Sequence, residues 1–221
     1  MPYAIPGKQL RIGCGIDDYE TLRRRQARRL YLTRSIESYD CDKEAPTFIS
    51  MAGQMIMDIA EFNQEDQEKG IPKDKRKPIT IYINSPGGDS DEGFPLIAAI
   101  ELSETPIYTI NIGQWSSMAF LIGIAGHKRL ALPYTTFLLH DGSSFNYGTT
   151  SKMQDRAKFE DRFEGEVVRE HVLKHSRMSP AKYDELLRVE YYMLPQDALD
   201  YGFIDGIVTS IYDIIPSTPP A

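Results

Sequence analysis

Thr109-Ile110-Asn111-Ile112-Gly113-Gln114-Trp115-Ser116-Ser117-Met118-Ala119-Phe120-Leu121-Ile122-Gly123-Ile124-Ala125-Gly126 is the stretch on which the reading of this chain turns. Apolar residues alternate through Ile110 and Ile112, the period of a strand. Gly113-Gln114 then reads as a turn, and from about Ser116 the small apolar residues read as a helix. A strand-turn-helix junction places Ser117 at or near a helix start. There, unpaired N–H groups and the positive end of the helix dipole favour negative charge. That suits a serine acting as a nucleophile beside a developing oxyanion. The plainer reading, open at this point, is that Ser116 or Ser117 caps the helix.

The chain has 221 residues, enough for one domain with a full core. Its 41% hydrophobic and 26% charged content is ordinary for a soluble globular protein. The longest apolar run, Met118 to Gly126, is too short to span a bilayer, and the N-terminus lacks a signal-peptide pattern. No membrane partner is therefore expected. Cys14 and Cys41 form neither a disulfide framework nor a zinc site, which makes a reducing cytoplasm the simplest home. A net charge of −7 argues against nucleic acid as the main partner. Nothing in the sequence calls for a cofactor or a metal.

Working outward from the central stretch, Ile79 to Asn84 reads as a strand running into Ser85-Pro86-Gly87-Gly88. In such a tight turn the second glycine can offer its N–H to a ligand with no side chain in the way. A helix over 91–103 and a strand over 106–112 follow. Beyond the junction, Arg129-Leu130-Ala131-Leu132 and Thr136 to His140 read as strands joined by a Pro133-Tyr134 turn. His140 thus ends an apolar strand, and a structural role for it stands beside a catalytic one. Upstream, Leu30-Tyr31-Leu32 reads as a short strand and Ala45 to Phe62 as a helix, with Asn63 to Pro78 as a charged surface loop. Downstream, Ser151-Lys152-Met153-Gln154 reads as a capping box opening a long charged helix to about Lys174. Phe159, Phe163 and Val167 form its apolar stripe. The expected organisation is an arm over 1–18, one domain over 19–215 with a handle over about 145–177, and a tail over 216–221.

Four motifs carry a resemblance to a known family. They are Ile81-Tyr82-Ile83-Asn84-Ser85-Pro86-Gly87-Gly88, then Gly113-Gln114-Trp115-Ser116-Ser117-Met118. The third is Arg129-Leu130-Ala131-Leu132-Pro133 running into Phe137-Leu138-Leu139-His140, and the fourth runs from Ala198 to Asp205. Across roughly residues 19–210 the sequence resembles the proteolytic subunit family of the Clp protease (ClpP). The resemblance implies an α/β, crotonase-like fold of stacked β-β-α units with a long projecting handle helix. It also implies a serine endopeptidase that assembles into rings. By the same resemblance the nucleophile falls on Ser117, the general base on His140, and the oxyanion donors on the backbone N–H groups of Gly88 and Met118. The family's catalytic aspartate aligns with Glu190, which is a departure. So are Val189, where the family usually has arginine, and Asp141-Gly142 after the histidine.

Chemistry agrees with this assignment. An imidazole with a pKa near 6.5 can take the serine proton at neutral pH, and a carboxylate can fix its tautomer. Asp141 is a poor rival for that carboxylate, because neighbouring strand side chains point to opposite faces. The expected activity is cleavage of unfolded polypeptide inside an oligomeric chamber fed by an AAA+ unfoldase ATPase. The chain has no phosphate-binding Gly-x-x-x-x-Gly-Lys-Ser/Thr loop of its own. Two other readings stand beside it. One is a catalytically silent, ClpR-like structural subunit of a mixed ring, motivated by the departures above. The other is an acyl-CoA enzyme on the same crotonase-like fold.

Overall fold

The computed structural model describes residues 24–37, 50–142, 147–187 and 189–215. The expected arm over 1–18, Cys14, Cys41 and the tail over 216–221 lie outside them. The fold is mixed α/β. Strand β1 (Arg29–Leu32) leads to helix α1 (Met51–Glu68), β2 (Ile79–Ser85), α2 (Ser90–Leu102), β3 (Ile107–Ser116) and α3 (Met118–Ile124). Then come β4 (Lys128–Ala131), β5 (Thr136–Leu139) and α4 (Thr150–Phe163), which passes through a π-helical turn (Glu164–Val168) into α5 (Arg169–Lys174). Helix α6 (Pro180–Leu186), β6 (Tyr191–Met193), α7 (Pro195–Asp200) and β7 (Gly206–Ile207) complete it. The sheet runs β1-β2-β3-β4-β7, all parallel; β5 pairs the far end of β3 in parallel, and β6 pairs β5 antiparallel.

Strand β2 reads as a continuous apolar run because it is central and covered on both faces. Ile79, Ile81 and Ile83 enter the main core with Phe62, Leu96 and Phe120. Tyr82 faces the other way into a smaller cluster with Ile110, Leu130 and Val208, and Tyr31 stacks on it at 5.3 Å between ring centroids.

Helix α1 runs six residues past the expected end at Phe62. Its buried positions Ala52, Met55, Ile59 and Phe62 continue at Asp66, so an acid occupies a core position of the helical stripe. Arg28 makes this possible: its Nη1 and Nη2 donate to the two Asp66 carboxylate oxygens, each at 2.6 Å, and Thr105 Oγ1 donates to the same carboxylate at 2.8 Å. A buried charge is tolerated when paired and hydrogen-bonded in this way. The expected loop therefore starts only at Gly70, whose φ of +63° ends the helix.

The expected long helix is present but begins two residues earlier, with Thr149 instead of Ser151 at the cap position and no side-chain capping bond. The Ser151 capping box does not form. Helix α4 buries no residue. Phe163 anchors its far end, meeting Phe94 of α2 edge-on at 4.9 Å, while Phe159 and Val167 remain exposed.

Candidate active site

Strand β3 does not turn at Gly113-Gln114; it runs on to Ser116. The pairing with β2 passes from Ile83↔Asn111 to Ser85↔Trp115, so β3 carries two more residues than β2 over this interval. Two asparagines absorb the excess. Asn84 Oδ1 accepts from the Gln114 N–H at 3.2 Å. Asn111 Oδ1 accepts from the Gly113 N–H at 3.0 Å, and its Nδ2 donates to the Thr136 carbonyl at 2.9 Å. Gly113 is required here, because a Cβ would lie 2.3 Å from Asn84 Oδ1. The bulge ends the pairing of β3 with β4 and begins its pairing with β5, as Gln114↔Thr136, Trp115↔Phe137 and Ser116↔Leu138.

Ser117 follows at φ +55° and ψ −127°, a conformation that costs a non-glycine residue about 1–3 kcal/mol. Its side chain makes no capping hydrogen bond, so the simple N-cap reading fails and the hydroxyl is left for other chemistry. The backbone holds it rigidly. The Ser117 N–H donates to the Leu138 carbonyl at 3.0 Å, and its carbonyl accepts from Phe120 at 2.9 Å. A serine on a strained turn between strand and helix is the geometry of a nucleophile elbow.

The Pro-Gly-Gly turn lies against this elbow. Gly87 (φ +94°) approaches so closely that a Cβ would lie 2.8 Å from Ser117 Cβ and 2.9 Å from the Met118 nitrogen. Gly88 (φ +142°) lies against Ile36: the Ile36 N–H donates to the Gly87 carbonyl at 2.9 Å and the Asp89 N–H to the Ile36 carbonyl at 2.8 Å. Met118 opens α3, where an N–H has no carbonyl one turn back to receive it. Ser85 Oγ braces the turn, accepting from the Gly87 N–H at 3.1 Å and donating to the Arg34 carbonyl at 2.7 Å.

His140 is the first residue beyond β5, so Ser117 and His140 follow the same ends of two adjacent parallel strands. His140 Nε2 is buried and has no hydrogen-bond partner. Antiparallel pairing of β5 with β6 proceeds through Leu138↔Tyr192 and ends at Leu139↔Tyr191, so His140 follows β5 where Glu190 precedes β6. The Glu190 carboxylate, however, accepts from the Tyr192 hydroxyl at 2.9 Å. Ser117, His140 and Glu190 thus each adjoin an end of β3, β5 or β6, and no hydrogen bond joins their side chains.

Gly87, Asn84, Asn111 and Ile36 were not foreseen as parts of this site. The Pro-Gly-Gly turn was the signal for Gly87. The asparagines in β2 and β3, polar residues inside apolar strands, were the signal for the bulge.

Residues 70–211 match the Clp protease family. The ATP-dependent Clp protease proteolytic subunit of Deinococcus radiodurans is 27% identical over 165 residues, covering 74% of this chain and 76% of that protein. The ATP-dependent Clp protease proteolytic subunit 2 of Thermobifida fusca is 29% identical over 144 residues, covering 64% of this chain and 70% of that one. The match spans the glycine turn, the Ser117 elbow, the end of β5 and Glu190 just before β6, and on this ground the chain belongs to the Clp protease family.

Proposed function

We propose that this chain is a serine-type endopeptidase subunit of a Clp protease, with Ser117 as nucleophile, His140 as general base and Glu190 as the carboxylate that orients the imidazole. The observation that carries the reading is the β3–β5 ladder, which ends with the Ser117 N–H on the Leu138 carbonyl and leaves His140 beside the elbow. His140 Nε2, buried and unpartnered, is the atom that would accept the Ser117 Oγ proton. Burying such a group without a partner costs about 1–3 kcal/mol, a cost that bonding to the serine hydroxyl would remove. The alkoxide attacks the peptide carbonyl, and the N–H groups of Gly88 and Met118 receive the oxyanion. The imidazolium then protonates the leaving amine, and water hydrolyses the acyl-enzyme by the same relay. Glu190 supports that imidazolium once it leaves Tyr192.

The physiological setting of this reading is cytoplasmic. The subunit assembles with copies of itself into rings that interlock through the exposed face of α4, and an AAA+ ATPase threads unfolded polypeptide into the chamber. The names of the two relatives, both ATP-dependent proteolytic subunits, support that partnership. Among the described residues, no helix is long and apolar enough to cross a membrane.

One observation favours the second reading, a silent subunit of a mixed ring: the Glu190 carboxylate is committed to Tyr192 instead of to the base. A fluorophosphonate probe separates the two. The expected result is labelling of the wild type and none of Ser117→Ala or His140→Ala. An unlabelled wild type, in a ring whose peptidase activity survives Ser117→Ala, would establish the silent role.

A further inference from the structure

Away from the elbow, at the base of the handle, His171 and His175 lie one helical turn apart, and Glu101 in the last turn of α2 faces them. Their donor atoms lie within 4.8 Å of one another. Glu101 Oε1 is 3.6 Å from His171 Nδ1 and 2.7 Å from His175 Nε2. Three ligands of a tetrahedral zinc ion, with bonds of about 2.0–2.1 Å, stand roughly 3.3 Å apart, a value that lies between these separations.

The state of His171 is fixed by its other nitrogen. Nε2 lies 2.9 Å from the Leu121 carbonyl, which can only accept, so Nε2 carries the proton. In the neutral ring Nδ1 then carries a lone pair, 3.6 Å from Glu101 Oε1. An imidazole held by a backbone carbonyl on one nitrogen, with the other free, is the usual posture of a metal-ligating histidine. Histidines spaced i, i+4 share one helix face, as in helical zinc motifs.

We propose that Glu101 Oε1, His171 Nδ1 and His175 Nε2 form a binding site for a divalent transition ion of the zinc class. On binding, the ion displaces the Lys174 ammonium, now 2.9 Å from Glu101 Oε1, together with any proton on His175 Nε2, which leaves to solvent. Lys174 is largely exposed and free to swing away. Arg129 does not compete, because it is bound to Asp205 at 2.6 Å and donates to the His175 carbonyl at 2.7 Å. An adjoining cavity of about 440 Å³, lined in part by Glu101, His127, Lys174 and His175, gives the fourth coordination position access to water. The bound ion clamps α5, the root of the handle, onto α2.

The test is equilibrium dialysis of the purified full chain against Zn²⁺, with Co²⁺ as the optical probe. One ion per wild-type chain is expected, with a four-coordinate Co²⁺ spectrum and a melting temperature that rises with free Zn²⁺. Glu101→Gln and His175→Ala should each weaken binding at least about tenfold. Lys174→Met should tighten it, an effect that a purely structural cluster would not give. His140→Ala should keep the ion, which excludes the catalytic histidine as its ligand. Absence of stoichiometric Zn²⁺ at micromolar concentration, or binding indifferent to Glu101→Gln and His175→Ala, would overturn the proposal.

Discussion

The Ser117 N–H donates to the Leu138 carbonyl at 3.0 Å, and Leu138 stands two residues before His140. This single bond fixes the height of the elbow against β5. The proposed nucleophile and base are thereby set side by side by main chain, before any side chain acts.

Substituting Gly87 tests how tightly the turn and elbow fit. Its φ of +94° and the 2.6 Å approach of a Cβ to the Ser116 carbonyl leave no place for alanine. Gly87→Ala should abolish fluorophosphonate labelling at Ser117 and lower stability by about 1–3 kcal/mol from backbone strain, with further loss from the contact. Labelling rate and thermal melting read both effects.

Asn111→Leu removes a fully buried amide that serves the Gly113 N–H and the Thr136 carbonyl. Each group left without a partner costs about 1–3 kcal/mol. The variant should melt earlier and label more slowly at Ser117, because the bulge that delivers the elbow loses its brace. Unchanged labelling would mean the bulge holds without it.

Glu190→Gln and Tyr192→Phe separate orienting the imidazole from merely accepting a tyrosine proton. Glu190→Gln should lower kcat about 10²–10⁴-fold, the upper end being the loss seen when an orienting acid becomes an amide. Tyr192→Phe frees the carboxylate and should leave kcat equal or raise it. The kcat ratio of the two variants on one peptide substrate is the measurement.

Asp66 gives the fold an acid limit. Burial alone would raise its pKa, but hydrogen bonds from Arg28 and Thr105 outweigh burial and hold the carboxyl below its ordinary value. With the folded pKa below the unfolded one, this group's contribution is complete above the unfolded pKa of about 3.9. It is lost as pH falls through the folded value. Asp66→Ala should cost about 3–5 kcal/mol at neutral pH, because Arg28 is left buried and uncompensated, and should flatten the acid limb of the stability profile. Denaturant melts at neutral and acid pH check both.

The exposed Phe159 on α4 tests the proposed stacking of rings. Phe159→Glu should halve the assembled mass by native mass spectrometry while single rings persist.

Much of this was readable from residues in order. Strand β2, helix α2 and the change from strand to helix near Ser117 follow from local periodicity. What was not readable depended on distant partners. The extension of α1 rests on Asp66, whose partner Arg28 lies thirty-eight positions away. Gly113-Gln114 has turn residues, but amides from Asn84 and Asn111 keep them in the sheet. The strained backbone of Ser117 is imposed by β5 and the glycine turn, not by the dipeptide itself. Glu190 could be placed by alignment, but its bond to Tyr192 is a side-chain choice that no spacing reveals. His171, His175 and Glu101 were not singled out in the sequence, because Glu101 stands seventy residues before His171 and no spacing joins them.

Strand β3 serves β4 along its first half and β5 along its second, so one continuous ribbon carries both the scaffold and the elbow. Sliding β5 to separate hydroxyl from imidazole would break the ladder along that ribbon. Under the proposed mechanism, switching the site off would then fall to rotations about individual side-chain bonds, at His140 and Glu190, with the skeleton beneath unchanged.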